Sequence, residues 1–427
     1  MRIVDLKPIP ILLLASSLLG QACSRGPEEV ERPERILSKR EIVYDSATYA
    51  RLSQAWKDYY DAFPSEDAYA NWMYAARYAS VTDYESLLHK GLNKYPANPV
   101  LLYLGAMNIK HGTRDNVEAR QLLEKAVKLD PVYMDPWFGL TIHYMADNDP
   151  ENFNVALRRL LEGNAIRDEV MDYSYNMLAS LDANAILITN GDNDTYPGWI
   201  LTRILRFRPD VNIVNRSLLN TDWYFSWIVN EGVPSFINQS KLERLREGIL
   251  ERMRASKIPV PAGGPFGDTL IVLLLDAAKL AGRPVYFACT LHITEMVERY
   301  TSAGRNLGLV SLVTPTSTAY SVQLKRLFNT WINRFRTGGL DSWQFRHSQQ
   351  ARAGRYLAMN YAATFSSFTD RIIAEMPEYR LDLFRWYRDH LVGLIPRAKV
   401  DQINHMWCRD DSPREIKDWC RSQGESE

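Results

Sequence analysis

What this 427-residue sequence lacks already excludes several kinds of protein. Neither charge is in excess: Lys plus Arg number 51 and Asp plus Glu number 51. Bulk charge therefore addresses no nucleic acid, and there is no acidic solvating block. Cysteine is scarce, with four in all (Cys23, Cys289, Cys408 and Cys420). That is no disulfide framework, and no Cys/His pairing has zinc spacing. Beyond the N-terminus no apolar run is long enough to span a bilayer. The stretch Leu270–Leu275 is cut by Asp276 and reads as a core helix. P-loop, dinucleotide fingerprint and serine elbow are all missing. Gly263-Gly264 is followed by Pro265, which removes an amide where a phosphate cradle needs one. No reaction is legible by motif, and the balance leans away from an enzyme.

The N-terminus carries an address. Arg2 and Lys7 flank an apolar run from Ile9 to Leu19, the length of a signal core. Gly20 and Ala22 precede Cys23, which resembles a bacterial lipoprotein signal, although Gly20 stands where Leu is usual. The alternatives are an ordinary cleaved secretory signal and an uncleaved anchor. The lipoprotein reading makes 1–22 the signal peptide and Cys23 the lipidated residue. Ser24 resembles the outer-membrane sorting pattern, which implies an outer-membrane anchor facing the periplasm or the cell surface. Residues 23–44, charged and with little apolar periodicity, read as a tether. In such a compartment Cys408 and Cys420 either form a bridge or remain two unrelated thiols. Cys289, within the apolar run Val285–Thr290, reads as a buried thiol.

From 45 to 181 helix succeeds helix. Leu104-Gly105, Ala119, Leu123, Ala126 and Pro131 follow the spacing of a tetratricopeptide repeat, with about two extra residues between the helices. Small residues let paired helices approach, and Pro131 ends the second one. A unit before it (Trp72, Tyr84, Leu88, Gly91, Pro96) and one after it (Trp137, Leu140, Tyr144, Ala156) are degenerate copies. The stack either offers a face to peptides or only supports the α/β domain.

The centre, 182–316, reads strand, loop, helix, strand. Ala185–Thr189 is apolar, Asn190–Pro197 is turn-prone, Gly198–Arg206 is helical and Val211–Val214 is β-branched. Thr221 or Asp222 reads as the cap of an aromatic helix, and Asp268 as the cap of an apolar one. Val285–Thr290 and Leu309–Val313 supply further strands. The fold class is thus α/β plus all-α: a small, mainly parallel sheet flanked by tetratricopeptide-like hairpins, with a C-terminal helical domain over 317–427. There Trp343, Phe345, Trp386 and Tyr387 read as core or interface aromatics.

The motifs NGDNDTYP (190–197), RPDV (208–211) and SLLNTDWY (217–224) resemble the soluble C-terminal part of a family of multi-spanning bacterial membrane proteins of unknown function. That family is distantly similar to protein O-mannosyltransferases, and RPVYFACT (283–290) and the strand ending in Pro315 resemble the same region. This chain has no membrane-spanning catalytic half. The resemblance therefore implies a soluble, envelope-facing α/β domain and a link to surface glycans, not a glycosyltransferase.

Ligands of α/β sheets gather at the carboxyl ends of the strands, so the candidate site is Asn190, Asp192, Asp194, Thr195 and Tyr196. Strands ending near Ile188 and Ala288, if parallel neighbours, would bring Thr290 and His292 to it. Asp192 and Asp194 could hold one divalent cation, bind a ligand without chemistry, or cap the helix and satisfy loop amides. The last is favoured for Asp194, with Thr195 as another cap. His292 is either an acid/base or a structural histidine. The functional expectation is a lipid-anchored cell-envelope scaffold with an envelope protein partner and a tie to surface glycan assembly. The alternative is a metal-dependent sugar- or phosphate-handling enzyme or a ligand-binding domain using Asp192 and Asp194.

Overall fold

Several of the helices start where the sequence supplies a side chain for their free amides. The computed structural model describes residues 30–42, 44–109, 117–260, 264–348 and 353–424; the proposed signal and Cys23 lie outside these. Asp45 caps α1 (Ser46–Ala62), Ser65 caps α2 (Glu66–Tyr78) and Asn98 caps α4 (Pro99–Asn108), each by accepting a backbone N–H. α3 (Tyr84–Lys94) and α5 (Val117–Leu129) come after the second and third of these. α6 (Asp135–Ala146), α7 (Pro150–Glu162) and α8 (Asp168–Ala179) complete the run. Ala119 and Ala126 are fully buried, and α5 ends two residues before Pro131. A Cβ on Gly105 would sit 3.0 Å from Leu92 Cδ1, so the helices pack as closely as their small residues allow.

One five-stranded sheet comes next, in the order β2-β1-β3-β5-β4. β1 (Ile186–Thr189) pairs in parallel with β2 (Asn212–Asn215) on one side and β3 (Val285–Ala288) on the other. All four residues of β1 and of β3 are buried, which is why both read as unbroken apolar runs. Between β1 and β2 lies α9 (Asp192–Trp199). Between β2 and β3 lie α10 (Tyr224–Asn230), α11 (Gln239–Ala255) and α12 (Gly267–Leu280).

The second half of the sheet is antiparallel, so the sheet is mixed rather than mainly parallel. α13 (Glu295–Ala303) leads into β4 (Arg305–Asn306), and the chain then reverses at Gly308, whose φ is +79°. β5 (Val310–Leu312) thereby lands beside β3 in the opposite sense. A two-residue strand and a glycine turn carry little periodic signal, and that hid the reversal.

α14 (Tyr320–Arg334), α15 (Gly338–Asp341), α16 (Trp343–His347), α17 (Ala353–Glu375), α18 (Arg380–His390), α19 (Arg397–Trp407) and α20 (Arg414–Gly424) close the chain. A disulfide between Cys408 and Cys420 joins the last two. Phe345, Trp386 and Tyr387 are buried, whereas Trp343 is exposed and stacks on His347. These helices share one continuous core with the sheet, while α1–α6 have a second core of their own. Among the described residues no helix is long and apolar enough to cross a membrane.

Residues 30–42 are not a free tether. Ile36 and Ile42 are buried, and the segment runs over α1, α2, α4 and α6. Cys289 is the expected buried thiol only in part: the residue is exposed just past the end of β3, while its Sγ lies 3.0 Å from the buried Tyr173 hydroxyl and burial raises its pKa to about 11.

The RPDV motif acts in the scaffold. Arg208 donates to the carbonyls of Leu178, Leu181 and Asp182, at and just beyond the end of α8, and forks onto Asp210. Asp210 also accepts from the Asn184 amide on the way into β1. Arg208→Ala is expected to lower stability by about 2–3 kcal/mol, because it strands a carboxylate and helix-end carbonyls together; urea unfolding measures it. The Arg208 hydrogen bond holds Asp210 at about 2, below its ordinary 3.8. That contribution is present above the unfolded value and is lost as pH falls through about 2. Arg208→Ala should therefore flatten the acid limb of the stability profile below pH 4.

Candidate functional site

The site grows from the carboxyl end of β1. The expected loop from Asn190 to Pro197 is mostly helix, since α9 begins at Asp192 and takes in Pro197. The reason is Asp194. Its side chain, 2 % exposed, accepts from the amides of Asn190 and Gly191, 2.9 Å each, and so closes the first helical turn. Thr290, just past β3, donates its hydroxyl to the same carboxylate. Burial pushes the Asp194 carboxyl above its ordinary range, against the pull of these donors. Gly198 then faces the sheet, where a Cβ would come 2.5 Å from Ile213 Cδ1. The helix continues as a wider π-turn over Ile200–Ile204.

Around Asp194 the strand ends are tied into one polar network. Thr195 and Thr189 share a hydrogen bond of 2.7 Å between their hydroxyls. Asn215, at the end of β2, donates to Thr195 Oγ1 and accepts from the Leu218 amide. The Asn215 amide in turn donates to Tyr224 Oη. Thr221 and Asp222 do not cap α10; Thr221 bonds to the Leu218 carbonyl instead. Asp268 is no cap either, and lies in the first turn of α12 accepting from Arg216 and Thr294.

Asp192 does something different from Asp194. Its side chain is 52 % exposed and pairs at 3.0 Å with Arg40, which arrives from the N-terminal segment. The two carboxylates thus have separate partners, and among the described residues no three metal-ligating side chains cluster. Arg40 also lies 3.8 Å from Asp135 and 4.2 Å above the Phe138 ring. Burial alone would lower its pKa, but Asp192 leads the groups that hold it above its ordinary value. Asp135, 2 % exposed, further accepts from Ser38 and Tyr74.

A cavity of about 390 Å³ lies between this strand edge and the helical run. One wall is apolar, with Leu123, Phe138 and Ile142 from α5 and α6. The other is polar, with Asn190, Asp192 and Asn215 from the strand ends. Tyr196 and Trp199 form part of it, and Tyr196 Oη donates to the Phe138 carbonyl, binding the two walls together. The cavity opens over the carboxyl ends of the parallel neighbours β1 and β2, and none of the residues lining it comes from β3.

Of the expected residues, Asn190, Asp192, Thr195 and Tyr196 line this cavity. Asp194 lies behind it as a positioning group. His292 is exposed and meets the site through its backbone amide, which donates to Asn190 Oδ1. Sequence reasoning missed Arg40, Asp135 and Asn215. Asn215 had a signal, a polar residue ending a β-branched run. Arg40 had none, being one charge among many.

Comparison with known proteins meets the same region. A family model described as TMEM260-associated domain 2 matches residues 170–240. The match spans α8 to α10 and all three of NGDNDTYP, RPDV and SLLNTDWY, and stops before β3. No curated protein and no solved structure matches the chain.

Proposed function

We propose that this protein is a cell-envelope scaffold, lipid-anchored through Cys23. It presents a ligand-binding cavity between tetratricopeptide-like helix pairs and an α/β domain, and it serves surface glycan assembly. The observation that supports the reading best is the cavity itself. It stands over the carboxyl ends of β1 and β2 and is walled by two structural units at once. Binding there would clamp the helical run onto the sheet, which is how a scaffold couples a partner to a ligand. The anchor and the glycan link come from the sequence.

Two measurements test this. Mass spectrometry of the envelope-purified protein should find a diacylglyceryl modification on Cys23, and Cys23→Ala should release the protein from membranes. Pull-down from envelope extracts should recover a partner that Ala146→Trp, which crowds the cavity rim, fails to recover. Equal recovery by both would remove the cavity from the function.

A second reading, a metal-assisted sugar or phosphate site, is favoured by one observation: the half-exposed Asp192 carboxylate faces the cavity. Under it, magnesium, manganese or calcium gives calorimetric heat that Asp192→Ala abolishes. Under the scaffold reading the expected titration is flat.

A further inference from the structure

The segment before α1 is seated like a bound peptide. Between residues 34 and 40 it touches α1, α2, α4 and α6, three of them the first helices of successive pairs. Its backbone is held by side chains. Asn71 accepts from the Ile36 amide, Tyr74 from the Lys39 amide, and the Trp56 indole donates to the Glu34 carbonyl. The chain turns over 39–41, where the Ser38 carbonyl accepts from the Glu41 and Ile42 amides. Ile36, Ser38 and Arg40 turn inward: Ile36 is buried, Ser38 donates to Asp135, and Arg40 enters between Asp135, Asp192 and Phe138. Arg35 and Lys39 stay exposed.

The seat is larger and more acidic than its occupant requires. Two carboxylates serve one guanidinium. The Arg40 contact to Asp135 is long at 3.8 Å, that to Tyr103 is 3.4 Å, and its Nε is buried without a hydrogen-bond partner. Beside the segment lies an open groove of about 550 Å³, bordered by Asn71, Tyr74, Val100 and Val132. Its one close ion pair is with Asp192 at 3.0 Å, so a guanidinium that met Asp135 as closely would be held better.

We propose that this face is a receptor groove for a partner segment with an apolar residue, a hydroxyl and an arginine at alternate positions and a turn at the arginine. Residues 36–40 are its occupant in cis. This deepens the scaffold reading by naming the partner chemistry. Asp135 and Asp192 take the cationic group, the Phe138 face covers it, and Asn71 and Tyr74 clamp the backbone. A cis occupant acts at an effective concentration on the order of millimolar, so a trans ligand binds weakly until the segment is freed.

The test uses the full chain with a protease site placed between Ile42 and Asp45. A fluorescent peptide with the sequence of residues 30–44 is added before and after cleavage, and anisotropy is read. Cleaved protein is expected to bind it at least tenfold more tightly than uncleaved protein. A peptide carrying Arg40→Ala should bind at least tenfold more weakly, and Asp135→Asn with Asp192→Asn in the protein should erase the difference between the two peptides. No uptake by cleaved protein whose circular dichroism is unchanged overturns the proposal, as does equal uptake of both peptides. If cleavage unfolds the protein, the same titration on intact Ile36→Asp decides by the same criteria. The readout needs no cavity ligand and no envelope extract, so its failure and that of the scaffold reading are told apart.

Discussion

Asp194→Ala is expected to destabilise the protein by about 3 kcal/mol, and Asp192→Ala by less than about 1 kcal/mol. The two residues are the same amino acid, two positions apart, and the difference lies entirely in what surrounds them. Asp194 is buried and satisfies two amides and a hydroxyl. Removing it leaves those half-buried donors without their partner, and the first turn of α9 loses its closure. Asp192 is half in solvent, and Arg40 keeps Asp135 nearby when it is gone. Chemical denaturation of the two variants measures the contrast. Equal losses would mean that Asp192 carries structure as well, and would take the half-exposed carboxylate out of the cavity. Asp194→Asn keeps the shape but brings a second donor toward two amides, so it is expected to recover less than half of the loss.

Gly339→Ala should cost about 3 kcal/mol or more, since overpacking against backbone has no flexible neighbour to yield. A Cβ there would fall inside contact distance of the Glu169 amide and of Asp168 at the start of α8. The Gly339 amide donates to Asp172, one turn further on, so the close approach is also a hydrogen-bonded one. Because α8 runs directly into β1, a shift there reaches the site. The expected signature is a lowered Tm together with weaker partner recovery. The control is Gly191→Ala, where a Cβ meets nothing within 4 Å; the expected change is at most about 1 kcal/mol, the scale of a weakened helix cap. Similar Tm values for the two variants would show that the C-terminal helices do not hold α8 in place.

Much of the centre could be read because its strands are short apolar runs between turn residues. Thr189 and Val214 do share a sheet, and Ile188 and Phe287 are in register on adjacent parallel strands. That pairing delivers Thr290 to Asp194, as the alternation of strands and helices implied. Three readings went astray where local pattern and tertiary contact disagree. NGDNDTYP has the composition of a loop, but a buried carboxylate reaching back three and four residues turns most of it into helix. Residues 30–42 have the composition of a tether, but two isoleucines and one arginine are enough to seat them. The β4–β5 reversal rests on a glycine and five strand residues, too few to show a period.

By itself the sequence determined the order of the elements and pointed to the carboxyl edge of β1, with its two aspartates, as the candidate site. Those come from periodicity, turn chemistry and strand polarity, which are local. Only the tertiary structure decided which aspartate faces the cavity, that the opposite wall comes from helices some fifty residues upstream, and that Arg40 closes the gap. Those depend on which surfaces remain to be buried once the elements have formed, and a buried charge finds its partner across space rather than along the chain.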